Sequence, residues 1–413
     1  MPRSLRAVHR DHQARSRPSG FGFAFADRIS YLDAGTWDTL TRDSTIYLSR
    51  GVLGAIEAHG PENVSPPYAM IFRADEPVAA MATQLVTITP ARLGHTGKLD
   101  AHRATRLLKR ALTPMARRTE SRLRGRMLVG GNLLSWGFHG VAFAPAVDPA
   151  SVWAGVAEAL YRIRRAERLA GQTNIVMVKD ATDAHPHIDE LRRYSYRPVE
   201  TEPNMVLEIP PAWRSYDDYL NALDAKRRSS VRSIGKKLAA AGCTVERLSS
   251  LDADANRLHE LYLSVHERAS IRLVTLPPAF LPALARAAGD AFRCTVIRRA
   301  GAIVGFVTSV RDGDTAVAYY VGFDRAEAES GLPLYLRLLH APIADAIDWR
   351  CARLSLGRTA LEPKAGLGAR PEPMAIWLRH RVPAINWMLR GVLGAVPHAE
   401  APERNPFKST TSS

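Results

Sequence analysis

A chain of 413 residues is long enough for two domains of ordinary size, and its formal charge of +15 directs attention to an anionic partner: nucleic acid, a phosphorylated carrier or an anionic surface. Three scattered cysteines with no C-x-x-C pair exclude a disulfide framework and argue against a zinc site, and no G-x-S-x-G elbow marks a serine hydrolase. No apolar run approaches the roughly 20 residues that cross a bilayer, and Phe21–Ala26 is too short for a signal-peptide core, so a reducing cytoplasm is the expected location.

In chain order, residues 1–27 form a basic N-terminus expected to be flexible, and 28–210 a first domain. Tyr68–Arg73 and Pro77–Thr87 read as a hairpin around Ala74-Asp75-Glu76. Between Arg103 and Arg126 nine basic residues stand against Glu120 alone, and Arg103, Arg106, Lys109 and Arg110 at helical spacing make one cationic face. Trp136-Gly137-Phe138-His139-Gly140 leads into a strand, Gly140–Phe143; its glycines permit close backbone approach of a ligand, and His139 is either a structural hydrogen-bonding residue or a substrate contact. A helix, Ser151–Leu169, precedes the strand Thr173–Lys179, which ends in Lys179-Asp180, an ion pair or substrate anchor. His185 and His187 follow without a third ligand, so no metal is expected. Asn204–Glu208 closes the domain.

The second domain is placed at 211–381. Lys226–Lys237 holds six cations and no acid, which is either a solvated helix face or a cradle for phosphates. Neither basic run interleaves aromatics, so stacking on single-stranded bases is not expected. Strands Cys294–Arg299 and Ile303–Arg311 flank Ala300-Gly301, and Thr315–Gly322 follows Asp312-Gly313. The loop Phe323–Pro333, bearing Ser330-Gly331, opens onto a helix, Leu334–Arg350; the strand Ala352–Gly357 ends in the polar run Arg358–Lys364, and Met374–Leu378 closes the domain.

Element by element these match the first domain, with Gly140–Phe143 against Val321–Phe323 and Thr173–Lys179 against Ala352–Gly357. The expected fold is therefore α+β: two tandem domains, each a central mixed sheet flanked by helices. A C-terminal apolar helix is placed at 382–397, where Val382–Val396 suits packing on a domain or peripheral contact with a membrane surface, and 398–413 is expected to be a flexible tail.

The order of elements, Gly322-Phe323-Asp324 through Gly331-Leu332-Pro333-Leu334-Tyr335, and Ser355-Leu356-Gly357-Arg358-Thr359 to Lys364-Ala365-Gly366-Leu367-Gly368-Ala369 resemble the GNAT acyltransferase superfamily. More narrowly, with the linker Ser215–Leu223 and Val178-Lys179-Asp180, they are similar to its double-domain branch, the Fem-type and peptidoglycan biosynthesis/recognition proteins. The resemblance spans roughly residues 28 to 381. It implies an N-acyltransferase that moves an acyl group from a thioester (acyl-CoA or an acyl carrier) to an amine acceptor, with Ser330, Gly331, Leu332, Leu334 and Tyr335 at the cofactor. The family's coenzyme loop is usually Arg/Gln-x-x-Gly-x-Gly/Ala, whereas Glu327–Pro333 has one glycine and two carboxylates, unfavourable beside a diphosphate. Fem-type relatives that take aminoacyl groups from tRNA similarly lack a well-formed loop, so aminoacyl-tRNA is the alternative donor. A binding module without chemistry is the third reading, and no DNA is expected as a partner.

Amide formation needs a deprotonated acceptor amine held against an activated carbonyl and a donor for the oxyanion. In such folds the carbonyl lies where two central strands part. That places Tyr320 and Asp324 on one wall and Arg358, Glu362 and Lys364 opposite. Glu362 or Asp324 is the candidate base, Tyr320 the candidate acid for the leaving group, and Lys364 and Arg358 neutralise a phosphate or carboxylate. In the first domain, Lys179, Asp180 and His139 are the candidate substrate contacts.

Overall fold

The computed structural model describes residues 18–89, 125–269, 272–386, 402 and 404–408. Its strands are β1 (Gly22–Ala26), β2 (Val64–Ser65), β3 (Tyr68–Arg73), β4 (Glu76–Ile88), β5 (Gly125–Gly130), β6 (Val141–Phe143), β7 (Thr173–Ala181), β8 (Arg197–Glu208), β9 (Cys243–Arg247), β10 (Phe292–Arg299), β11 (Ala302–Asp312), β12 (Thr315–Phe323), β13 (Arg353–Ser355) and β14 (Arg370–His380). The α-helices are α1 (Ala34–Thr41), α2 (Arg50–His59), α3 (Trp153–Ala166), α4 (Tyr216–Ala222), α5 (Ala225–Ala240), α6 (Ala255–His266), α7 (Phe280–Ala288), α8 (Arg325–Glu329), α9 (Leu334–Leu338), α10 (His340–Asp348) and α11 (Leu361–Ala365). The chain divides into two compact units, residues 1–57, 62–201 and 374–398 in the first and 58–61, 202–373 and 399–413 in the second.

In the first unit the strands run in the order β1-β3-β4-β5-β7-β14, with β2 and β6 on β4. β5 and β7 are parallel and the other neighbours antiparallel. Helix α3 presents Trp153, Val156, Leu160 and Ile163 at three- and four-residue spacing, and all four are buried with Ile71, Leu128 and Val178 of the sheet. Burial of each such large apolar side chain contributes about 1.5–3 kcal/mol.

The second unit repeats this plan in the order β8-β13-β12-β11-β10-β9, with β12 and β13 the parallel pair. The registers align. Met81 of β4 faces Val141 and Thr83 faces Gly130; Val307 of β11 faces Val321 and Ser309 faces Ala318. β5 and β6 are thus two pieces of the strand that is continuous as β12. What is a bulge at Tyr319–Tyr320 in the second unit is the excursion 131–140 in the first.

Four expectations need correction. The closing strands are exchanged: Val206–Glu208 pair with β13, and Ala375–His380 pair with β7. Alternation tells a strand which face to bury but not which sheet edge to complete. β5 was hidden inside a basic run, although Arg126 sits at its start and pairs with Glu167 at 2.8 Å. The helix expected over Leu334–Arg350 is two segments meeting at Leu339. Within the termini expected to be flexible, Gly22–Ala26 pairs with β3, Pro406 is buried and Phe407 is packed. Residues 1–17, the cationic face at Arg103–Arg110 and the apolar segment beyond residue 386 lie outside the described residues.

The packed tail places the Phe407 ring beside Trp213 and Tyr219, and its backbone bridges to Leu223. Gly368 makes room for it: a Cβ there would lie 2.4 Å from the Phe407 ring, and its φ of 95° already disfavours a side chain. Gly368→Ala is expected to cost about 1–3 kcal/mol in denaturant unfolding. An unchanged midpoint would show that the tail contributes nothing.

Candidate active site

The site in the second unit begins where its parallel pair ends. β12 and β13 pair only over Thr315–Val317 and Arg353–Ser355. Beyond that β12 bulges, while the other chain turns at Gly357 (φ 78°) and Ala360 (φ 52°) into α11. Thr308 holds the bulge, its Oγ1 accepting from Tyr320 N at 2.9 Å and donating to Tyr320 O at 3.3 Å. Tyr319 is buried, and the Tyr320 ring meets Tyr262 of α6 edge-on at 5.5 Å. Burial pushes the Tyr320 hydroxyl well above its ordinary pKa, which keeps it a neutral donor.

On the opposite side Lys364 is buried, with Nζ donating to Gly357 O at 3.2 Å. Among the described residues no carboxylate lies within ion-pair distance of it. Burial pulls its ammonium down to about 7, against the opposing field of Glu202. An amine poised there can take up and return a proton near neutral pH, the property required of a general base.

Asp324 and Glu362 each have partners of their own. Asp324 caps α8, accepting from Ala326 N at 3.0 Å, and pairs with Arg257 at 3.1 Å. Glu362 is largely exposed and pairs with Arg404 of the packed tail at 2.5 Å. Arg358 is half-buried in the turn after Gly357.

In the expected cofactor segment, Ser330 Oγ donates to Glu327 O at 2.7 Å, and Gly331 takes a φ of 98° with open space where a side chain would stand. Leu334 is fully buried, Leu332 packs beside it, and the Tyr335 ring lies 6.0 Å from Phe323. The two carboxylates that looked hostile to a diphosphate are partnered, Glu327 by Arg299 and Glu329 by Arg325. Pairing lowers the charge that an anionic donor would meet.

In the first unit the corresponding place is filled. Lys179 and Asp180 are both buried and paired with each other; Lys179 Nζ also donates to Ser135 O at 2.7 Å, and Gly137 N donates to Asp180 Oδ2 at 3.2 Å. Both backbone partners belong to the excursion 131–140. His139 lies in the same segment, its ring bonded to Thr45 Oγ1 at 2.9 Å and to Trp136 O at 3.0 Å.

Sequence reasoning gave no place to the buried polar contacts of Asn204, Ser355 and Thr308 in the second unit, nor to that of Gln84, which donates to Asn132 Oδ1 at 3.0 Å in the first. A polar residue inside a strand carries no local mark of its partner across the sheet. One cavity, about 690 Å³, lies where β9 ends and β10 begins, away from these residues. Three of its arginines are already paired: Arg247 and Arg293 with Asp345, and Arg286 with Asp252. Among the described residues no cluster of three His, Cys, Asp or Glu could hold a metal ion, and no helix is long and apolar enough to cross a membrane.

Residues 225–365 match the acetyltransferase (GNAT) domain model. No curated protein matches the chain. Among solved structures, a tandem GNAT protein from the clavulanic acid biosynthesis pathway is similar at 11% identity and a TM-score of 0.49, over 88% of this chain and 99% of that one. FemX is similar at 10% identity and 0.45, over 78% and 94%. The C-terminal domain of a putative lysylphosphatidylglycerol synthetase from Agrobacterium fabrum is similar at 13% identity and 0.41, over 67% and 85%.

Proposed function

We infer, because residues 225–365 match the acetyltransferase (GNAT) domain model, that this chain is an N-acyltransferase whose reaction runs in the second unit, where β12 and β13 part. The observation that carries this reading is Lys364: a buried amine on Gly357 O, without a carboxylate partner among the described residues, lowered to about 7. Neutral Lys364 takes the proton from the acceptor ammonium. The freed amine attacks the donor carbonyl, a C–N bond forms, the bond from carbonyl carbon to the leaving sulfur or oxygen breaks, Lys364 returns its proton to the leaving group, and the second surplus N–H proton is released to solvent as the amide forms. The neutral Tyr320 hydroxyl is the candidate hydrogen-bond donor to the oxyanion. The first unit argues for this assignment by contrast, since its lysine at the strand end is tied to Asp180 and to the excursion 131–140.

The donor proposed first is an acyl thioester. Ser330–Tyr335 is its proposed seat, with Glu327 and Glu329 neutralised by Arg299 and Arg325. A second donor, aminoacyl-tRNA, is favoured by α5. That helix is capped by Asp224, buries only Leu238, and carries Lys226, Arg227, Arg228, Arg232, Lys236 and Lys237 with no acid. Such a face binds a polyphosphate backbone with steep salt dependence.

Purified protein incubated with a panel of acyl-CoAs and, separately, with charged total tRNA distinguishes the two. Saturable binding and hydrolysis of an acyl-CoA, little affected by moderate salt, is the expected result. Response only to charged tRNA, lost steeply as salt rises and weakened by Arg232→Ala with Lys236→Ala, would move the assignment to aminoacyl transfer. Binding without donor consumption in either arm would leave a binding module.

A further inference from the structure

The chain that carries Lys364 is anchored by a residue from outside the loop. Asn204 lies in β8, is buried, and directs its Oδ1 at the end of β13, where it accepts from Ser355 Oγ at 2.9 Å and from Gly357 N at 3.1 Å. The carbonyl of the same Gly357 accepts from Lys364 Nζ at 3.2 Å and from Met205 N at 3.2 Å. One peptide unit on each side of the Gly357 Cα is therefore fixed from β8: its N–H by the Asn204 side chain, its C=O by the Met205 backbone.

Gly357 has a φ of 78°, a conformation in which only glycine is at ease, so local preference alone leaves this turn free to move. A side-chain acceptor on its N–H removes that freedom. We propose that Asn204 is the positioning residue of the transfer site, fixing the Gly357 turn so that its carbonyl holds the Lys364 amine where the acceptor must surrender its proton. The proposal rests on the reading of Lys364 as the base.

Among the described residues, Arg358 follows Gly357 directly and is half-buried. Glu202 lies on β8, two residues before Asn204, and acts on Lys364 across space. Glu372 of β14 stands 3.5 Å from Asn204 Nδ2 but is neutralised by Arg353 at 2.6 Å. On the lysine's own helix Glu362 is paired with Arg404. From α5 the Arg227 guanidinium comes within 3.9 Å of where a side chain on Gly366 would begin. No one of them would replace the hydrogen bond that Asn204 accepts from Gly357 N.

The test needs no substrate. Competitive acylation of the folded full-length protein with a small amine-reactive anhydride across pH, read peptide by peptide by mass spectrometry, gives the titration midpoint of Lys364 itself. In the unaltered protein the midpoint is expected near 7. In Asn204→Ala the turn relaxes, water reaches the amine, and the midpoint is expected to rise by about one pH unit or more. Ser355→Ala removes only the other bond to Oδ1 and is expected to leave the midpoint in place. A role limited to strand anchoring predicts instead that the two variants lose stability alike and that neither midpoint moves.

Asn204→Leu keeps a branched side chain of similar shape but removes the acceptor, so it is expected to raise the midpoint as well; no change in it would overturn the proposal. An ordinary lysine midpoint in the unaltered protein would remove the base assignment. A midpoint near 7 that is indifferent to Asn204→Ala would leave the base standing and remove Asn204 from its support.

Discussion

Lys364→Met is expected to reduce transfer by about 10²- to 10⁴-fold, the range that a positioned acid–base group supplies. The protein should remain folded. A methionine fills nearly the same volume without a charge, and among the described residues the ammonium it replaces is buried with a carbonyl, not a carboxylate, for a partner. The pH dependence carries a definite sign. Reaction requires the neutral amine, so the rate with the unaltered enzyme should climb with pH and level off above about 7. Stability follows the same group in a different window. The folded-state value lies below the unfolded value of 10.5, so the cost of burying the charge is complete below about 7 and disappears as pH rises from there to 10.5.

The methionine variant lacks that cost, and its thermal midpoint at pH 6 should equal or exceed that of the unaltered protein while its advantage fades towards pH 10. A single-turnover pH profile alongside thermal unfolding checks both parts. Full activity in the variant would sink the role assigned to Lys364, and lost activity with a collapsed melting transition would reduce that role to structure.

Asp180→Asn is the substitution with the largest expected effect on folding. It leaves Lys179 charged inside the first unit without the Asp180 carboxylate, and breaking a buried pair in this way costs about 3–5 kcal/mol. Asparagine is the informative replacement because Asp180 has a φ of 55°, which asparagine tolerates, and because its side-chain oxygen can still accept from Gly137 N. The measured loss then reports the charge. Adding Lys179→Met should recover most of the stability, because the buried charge that Asp180 balanced is removed as well. If the first unit does not perform the chemistry, kcat per folded molecule should be unchanged in the double variant. A loss of kcat with normal stability would instead bring the first unit into the reaction.

How far the sequence could be read depended on how local the controlling physics is. The hairpin strands Tyr68–Arg73 and Cys294–Arg299 sit inside β3 and β10 as expected, because their patterns and flanking turns are complete within a few residues. Val321–Phe323 and Gly140–Phe143 do occupy equivalent register positions, opposite Gly305–Val307 and Ala79–Met81. The intervening β5 escaped notice because a strand that begins at the end of a long arginine run has little contrast with it. Asp324 looked like a base because carboxylates at a strand end often are; its capping bonds and Arg257 became apparent only with helix α8 and helix α6 in place. Asn204 gave no signal at all, since its partners Ser355 and Gly357 lie about 150 residues away.

The order of strands and helices, the internal repetition, the glycine turns and the placement of Lys364 just after the strand end were determined by the sequence itself, through periodicity and backbone preferences that act over a few residues. Tertiary structure decided the rest: which closing strand completes which sheet, that the excursion 131–140 fills the first unit's strand end, that the tail packs Phe407 over Gly368, and that Lys364 is buried without a carboxylate at ion-pair distance among the described residues. Those are matters of edge pairing, burial and dielectric environment. They are set by distant parts of the chain coming together, and no window of neighbouring residues contains them.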